Sequence, residues 1–162
     1  MNEIRLDRKT AIIFATDVVG YSKHMENDEN LTFQSYDLCE LVLTNLLEKY
    51  KGRIFNTAGD SVLAEFSSAV DAVECAAEFQ AEIRKKNESN DSRLKLEFRV
   101  GINVGDVVSK GDNFLGDGVN IAARLEAFAQ PNGISISKSV YDLVRQKTKL
   151  RFHDLGMQRI KK

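Results

Sequence analysis

The stretch Leu96–Val108, LEFRVGINVGDVV, puts Phe98, Val100, Ile102 and Val104 on one side and Arg99, Gly101, Asn103 and Gly105 on the other. A period of two is the pleat of a strand, so this is a long strand with one apolar face. Working back from it, KKNESNDSR (Lys85–Arg93) is a polar loop. Before that loop, Ala69, Val73, Ala76, Phe79 and Ile83 mark one helical face. Ser67 and Ser68, with Asp71 three places after the latter, resemble a helix cap. GRIFNTAGDSVLAEF (Gly52–Phe66) reads as two short strands around a tight turn at Thr57-Ala58-Gly59, because Val62, Ala64 and Phe66 alternate with Ser61, Leu63 and Glu65. From about Leu31 to Tyr50, Leu38, Leu41, Val42 and Leu46 recur at helical spacing, with Gly52 as a stop. TAIIFATD (Thr10–Asp17) is apolar almost throughout and suits a short central strand covered on both faces.

Working forward, SKGDNF (Ser109–Phe114) is a turn, and GDGVNIAARLEAF (Gly116–Phe128) is a helix stopped by Gln130-Pro131-Asn132-Gly133. ISIS (Ile134–Ser137), a short helix to about Val144 and LRFHDLG (Leu150–Gly156) complete the order. Strand, helix, strand, strand, helix, strand is the split βαβ arrangement. The expectation is a ferredoxin-like α+β sandwich, a mostly antiparallel sheet with helices on one face plus C-terminal additions. With no repeat and no linker, residues 1–162 read as one domain.

The totals fit that reading. A hydrophobic content of 43% in 162 residues is enough for one core. The 23 basic and 24 acidic side chains nearly cancel, which argues against the broad positive field of a nucleic-acid binder. Cys39 and Cys75 belong to no metal-type cluster and read as reduced, partly buried thiols. No apolar run approaches the roughly 20 residues that cross a bilayer. The charged start MNEIRLDRKT lacks a signal-peptide core, so the expected location is the cytoplasm.

Two groups of polar residues stand out. Asp17 ends the first strand and Asp60 lies at the hairpin bend. If those strands are neighbours, the two carboxylates could hold divalent cations, for which oxygen ligands and substrate phosphates are the usual donors. The alternative is that each aspartate only caps a turn. Gly20 and Gly59, beside them, let backbone amides approach a phosphate. Asn120 and Arg124, four apart, share one helical face among apolar neighbours. A guanidinium forks onto phosphate oxygens and an amide can orient a sugar, although an interhelix salt bridge would use the same pair. Arg99 points away from the apolar face of its strand, where a plain surface arginine is the default.

Taken together and in order, FATDVVGY (Phe14–Tyr21), NTAGDSVLAEF (Asn56–Phe66), FRVGIN (Phe98–Asn103) and GDGVNIAARLEAFAQPNGISIS (Gly116–Ser137) resemble the class III adenylate and guanylate cyclase catalytic domain, bacterial members above all. The resemblance spans about Thr10 to Lys162. It implies conversion of ATP, or GTP, into a 3′,5′-cyclic nucleotide and pyrophosphate with two divalent cations, Mg²⁺ or Mn²⁺. Asp17, Asp60 and the backbone carbonyl of Val18 match the metal ligands, and the turn through Val19, Gly20 and Tyr21 lies near the phosphates. Asn120 and Arg124 match the transition-state pair, while Arg99 and Lys161 match positions that bind the outer phosphates. It also implies a homodimer with shared sites, in which one protomer gives the aspartates and Arg99 and the other gives the base-reading and transition-state residues.

The chain departs from the pattern in two places. Where typical adenylate cyclases read the base with a lysine and an aspartate, this chain has Asn56 and Asn113. An amide both donates and accepts, so these residues suit adenine and, flipped, guanine; ATP is favoured over GTP. The family strand that usually follows a QRIKK-like segment is missing, which suggests a catalytic fragment. The rival reading is a nucleotide-binding or dimerisation module with weak or lost activity. A remoter rival, a two-metal enzyme joining two nucleotides, lacks its Gly-Gly-Asp-Glu-Phe-like signature here.

Overall fold

Ile13 and Phe14 are neighbours in sequence, point to opposite faces of one strand, and are both fully buried. Such a strand must be covered on both sides. The computed structural model describes residues 7–89 and 94–152. The elements in chain order are β1 (Asp7–Val18), α1 (Tyr21–Asn27), α2 (Glu29–Lys49), β2 (Arg53–Ala58), β3 (Ser61–Phe66), α3 (Ala69–Glu88), β4 (Phe98–Lys110), β5 (Asn113–Leu115), α4 (Asp117–Phe128), β6 (Ile134–Ile136) and α5 (Lys138–Val144). The sheet runs β2-β3-β1-β4-β5, antiparallel at each step, and β6 joins β4 in parallel. This is the expected α+β class with its split βαβ order.

One face of the sheet offers Ile12, Phe14, Val62, Ala64, Phe66, Phe98, Val100 and Ile102 to the buried sides of α2, α3 and α5. The other offers Ala11, Ile13, Ala15 and Val107, covered by Val119 and Ala122 of α4 and by Phe114 of β5. Helices therefore cover both faces, a correction to the expected one-sided layer. The reason lies in the small residues of β4. A Cβ on Gly101 would collide with Glu126 N and Ala122 O, and one on Gly118 would lie 2.6 Å from Asp106 O. Backbone packs on backbone here, so the side of β4 that reads as polar is a seat for α4.

The caps follow the sequence. Ser68 Oγ accepts from Asp71 N at 3.2 Å, and all five residues of the expected α3 face are buried. Ser137 Oγ accepts from Val140 N to start α5. Four details differ. Helix α1 has no buried residue and so no apolar period to reveal it. The buried stripe of α2 is Tyr36, Cys39, Leu43, Leu46 and Leu47, and Leu41 is 59% exposed. The hairpin loop is Gly59-Asp60, one residue later than expected, since Ala58 still pairs with Ser61 and Gly59 takes φ 59°. The turn expected over Ser109–Phe114 is a hairpin, with β5 pairing back on β4. Of LRFHDLG, only Leu150–Phe152 lie within the described residues and they form no strand; the rest lies outside them. No helix among the described residues is long and apolar enough to cross a membrane.

Gly101→Ala should force α4 off β4 and cost about 3 kcal/mol, the upper end for overpacking a tight contact. Urea unfolding with an unchanged m-value reads that loss, and a midpoint equal to wild type would mean that α4 does not depend on this close approach.

Candidate active site

The pairing of β1 with β3 and β4 builds the site. Thr16 lies opposite Val62 and Asp17 lies opposite Arg99. The Gly59-Asp60 loop is thereby carried to the end of β1, where Val18 N donates to Asp60 Oδ2 at 2.8 Å. Thr16 Oγ1 donates to the Arg99 carbonyl at 2.7 Å and fixes that rung. Beyond Val18 the chain turns sharply: Val19 N donates to Glu97 O, and Gly20, at φ 65°, starts α1. A Cβ on Gly20 or Gly59 would meet nothing within 4 Å, so the space beside both turns is open.

From the second face, α4 brings in Glu126, which is buried. Burial, a proton shared with Asp17 and the charge of that carboxylate push the Glu126 carboxyl up to about 9, against the opposing pull of Arg99. Burial also pushes Asp60 up, with the Val18 and Asp60 amides acting the other way and the Asp17 charge adding to it. Asp17 Oδ1, Glu126 Oε1 and Arg99 Nε are buried with no hydrogen-bond partner among the described residues. Buried polar atoms without partners cost free energy. An orphaned carboxylate oxygen beside a second carboxylate is a donor set that a hard cation fits. No group of three or more His, Cys, Asp or Glu among the described residues could hold an ion unaided. A cation held by these two aspartates would need further oxygen ligands from outside that set.

The candidate residues fall into separate groups. Asp17, Val18, Asp60 and Arg99 come together at the end of β1, with Val19, Gly20 and Tyr21 next to them. Asn120 and Arg124 do not join them. Both are exposed, and neither side chain has a partner among the described residues. At about 100° per residue, Arg124 lies roughly 160° around α4 from Glu126, so it faces away from the aspartates. Asn56 is exposed on β2, next to a bulge between Ile54 and Asn56. Asn113 opens β5 and accepts from Phe114 N at 2.9 Å. Their strands are far apart in the sheet order, yet β5 folds over toward β2. Phe55 and Phe114 pack with centroids 5.1 Å apart, and Arg53 Nη1 donates to Asp112 O at 2.9 Å. Lys161 lies outside the described residues.

Glu126 is the site neighbour that sequence reasoning missed. Its signal was present: Gly118, Ala122 and Glu126 recur every four residues, which sets an acid on the buried stripe of α4.

Residues 5–161 match the model described as "Adenylate and Guanylate cyclase catalytic domain", and the chain is a member of that family. A Rhizobium meliloti (strain 1021) protein provisionally named adenylate cyclase 3 is 41% identical over 95% of this chain and 26% of its own length. The adenylate cyclase of Streptomyces coelicolor is 29% identical over 83% of this chain and 34% of its own length. The chain thus spans about a quarter to a third of these relatives. Among solved structures, an adenylate/guanylate cyclase/hydrolase from Silicibacter pomeroyi superposes with a TM-score of 0.89 at 34% identity, covering 97% of this chain and 92% of that one.

The raised Glu126 value gives a sign for pH. The folded chain keeps a proton that the unfolded chain releases near the ordinary glutamate value of 4.5, so this group's contribution to stability is full below 4.5 and is lost as pH rises toward about 9. Glu126→Gln, which keeps a donor beside Asp17, should flatten that decline. Urea midpoints of the metal-free protein at pH 6 and pH 8.5 test it; an equal slope in both proteins would count against a protonated Glu126.

Proposed function

We propose that this chain converts a purine nucleoside triphosphate, ATP ahead of GTP, into its 3′,5′-cyclic nucleotide and pyrophosphate at sites shared between two copies of the chain. The observation that carries this reading is the division of the polar residues. Asp17, Asp60 and Arg99 converge at the end of β1, while Asn120 and Arg124 face outward from α4 with no partner among the described residues. In a twofold pair, what one protomer presents outward meets what the other holds inward, and two equivalent sites result.

In the reaction the ribose 3′-oxygen loses its proton and forms a bond to the α-phosphorus as the bond to the departing pyrophosphate breaks. Two divalent cations, Mg²⁺ or Mn²⁺, held by Asp17, Asp60 and the Val18 carbonyl, would lower the pKa of the 3′-hydroxyl and offset the charge of the phosphates. Val18 N–H holds Asp60 in place for that role. Arg99, joined by Lys161 from the other protomer, takes the outer phosphates, with the amides of the turn from Val19 to Tyr21 beside it. From the partner, Asn120 orients the ribose and Arg124 meets the charge that builds on the α-phosphate. Removing such a group costs about 2.7–4 kcal/mol of barrier, which is two to three orders of magnitude in turnover for Arg124→Ala. Asn56 and Asn113 read the base, on strands that the Phe55–Phe114 contact ties together.

The decisive experiment mixes two inactive proteins, Asp17→Ala and Arg124→Ala. With free exchange about half the dimers are mixed and each has one intact site of two, so activity should return to roughly a quarter of wild type. No recovery, either on mixing or on co-expression, would rule out shared sites. Base choice has its own test. Asn56→Lys with Asn113→Asp installs a fixed donor and a fixed acceptor, each worth about 1–3 kcal/mol where a buried partner would otherwise be unpaired. The ATP to GTP ratio of kcat/KM should rise at least tenfold, and an unchanged ratio would remove these residues from the base pocket.

A further inference from the structure

Tyr36 belongs to α2, yet it touches both turns that carry the candidate metal ligands. Its ring meets that of Tyr21 at a centroid distance of 6.0 Å and an interplanar angle of 63°, an edge-on contact. Its hydroxyl donates to the backbone carbonyl of Asp60 at 3.2 Å. Tyr21 is the first residue of α1, immediately after the Val18–Gly20 turn, and Asp60 is the second residue of the hairpin loop. The Val18 N to Asp60 Oδ2 bond joins the same two turns directly. Tyr36 therefore closes a circuit: ring to one turn, hydroxyl to the other, and the turns to each other. Packing alone would need only the ring, because Tyr36 is already 8% exposed within the core layer of α2. What the hydroxyl adds is a tether on the loop that aims Asp60.

We propose that Tyr36 is a positioning residue that sets the spacing between the Asp17 turn and the Asp60 loop, and so the affinity of the site for its cations. Its effect runs through Asp60, and its functional consequence rests on the cyclase reading. Burial, followed by the charges of Glu40 and Asp60, pushes the phenol well above its ordinary value, so it remains a donor at any working pH. At 3.2 Å the bond is long for an O–H donor. Its loss should therefore cost the lower part of the usual range, a factor of about two to five in loop closure.

The test is Tyr36→Phe, which keeps the ring and removes the tether. Tyr50→Phe is the control: it deletes a shorter bond, from Tyr50 Oη to Glu78 Oε2 at 2.6 Å, outside the site. Amide exchange of the metal-free proteins is measured first. The Val18, Gly59 and Asp60 amides should exchange about two to five times faster in Tyr36→Phe, with no change at these amides in Tyr50→Phe. The rate is then titrated with Mn²⁺ at fixed ATP. Half-saturation should need two to five times more Mn²⁺, while the rate at saturating Mn²⁺ stays within about twofold of wild type. Unchanged exchange, a loss confined to the saturating rate, or an equal Mn²⁺ shift in Tyr50→Phe would overturn the proposal. If wild type makes no cyclic product, the cyclase reading fails by itself. The proposal is then decided by exchange and by the free Mn²⁺ resonance signal in the presence of ATP, where equal Mn²⁺ binding by wild type and Tyr36→Phe would overturn it.

Discussion

The antiparallel ladder between β1 and β4 is the constraint on which the rest depends. It runs without a break from Asp7 opposite Ser109 to Val18 opposite Phe98. Its register sets which side chains of each strand share a face, and a slip of one residue would exchange the two faces. Ile12 and Phe14 would leave the core shared with α3, Gly101 would no longer lie under α4, and Asp17 would lose its place across from Arg99. The polar end of the molecule is thus a consequence of how its apolar middle is aligned. Gln80 reinforces that alignment from α3, donating through Nε2 to the carbonyls of Phe98 at 2.9 Å and Gly133 at 3.0 Å, which ties the start of β4 to the segment leading into β6.

Much of this arrangement was legible before any coordinates. The alternation in β3 and the stripe of α3 are clean, and so is the apolar half of the period-two run of β4, which packs on the layer of α3. Legibility failed where burial is two-sided or absent. Helix α1 buries nothing, so no period betrays it. On α2, Leu41 fits the helical spacing but points outward, because Tyr36, Cys39 and Leu43 define the buried stripe instead. The seat of α4 was misread for a subtler reason. Glycine on a strand resembles absence of a core, whereas at Gly101 it marks a place where the backbone of α4 packs directly on β4.

The same contrast holds for the candidate site. Asp17 and Asp60 were visible because an acid at the end of an apolar strand and another in a tight turn are conspicuous. Glu126 was not, since one acid in a helix ordinarily faces water. It became significant only when α4 was found on the second face, which places its carboxyl against Asp17 and near Arg99. Burial of a second acid against Asp17 disfavours its charged form, which is why the Glu126 carboxyl is pushed above the ordinary glutamate range.

The outer strand β2 has a consequence of another kind. It forms one margin of the sheet, its residues Asn56–Ala58 are exposed, and its pairing with β3 is interrupted by the bulge between Ile54 and Asn56. Arg53, at its start, is drawn inward to Glu65 and to the Asp112 carbonyl. An open margin of this sort is where foreign strands dock and runaway polymerisation begins, and a bulge with a nearby cation is a standard deterrent. Growth of the sheet by strand addition at β2 is thereby discouraged.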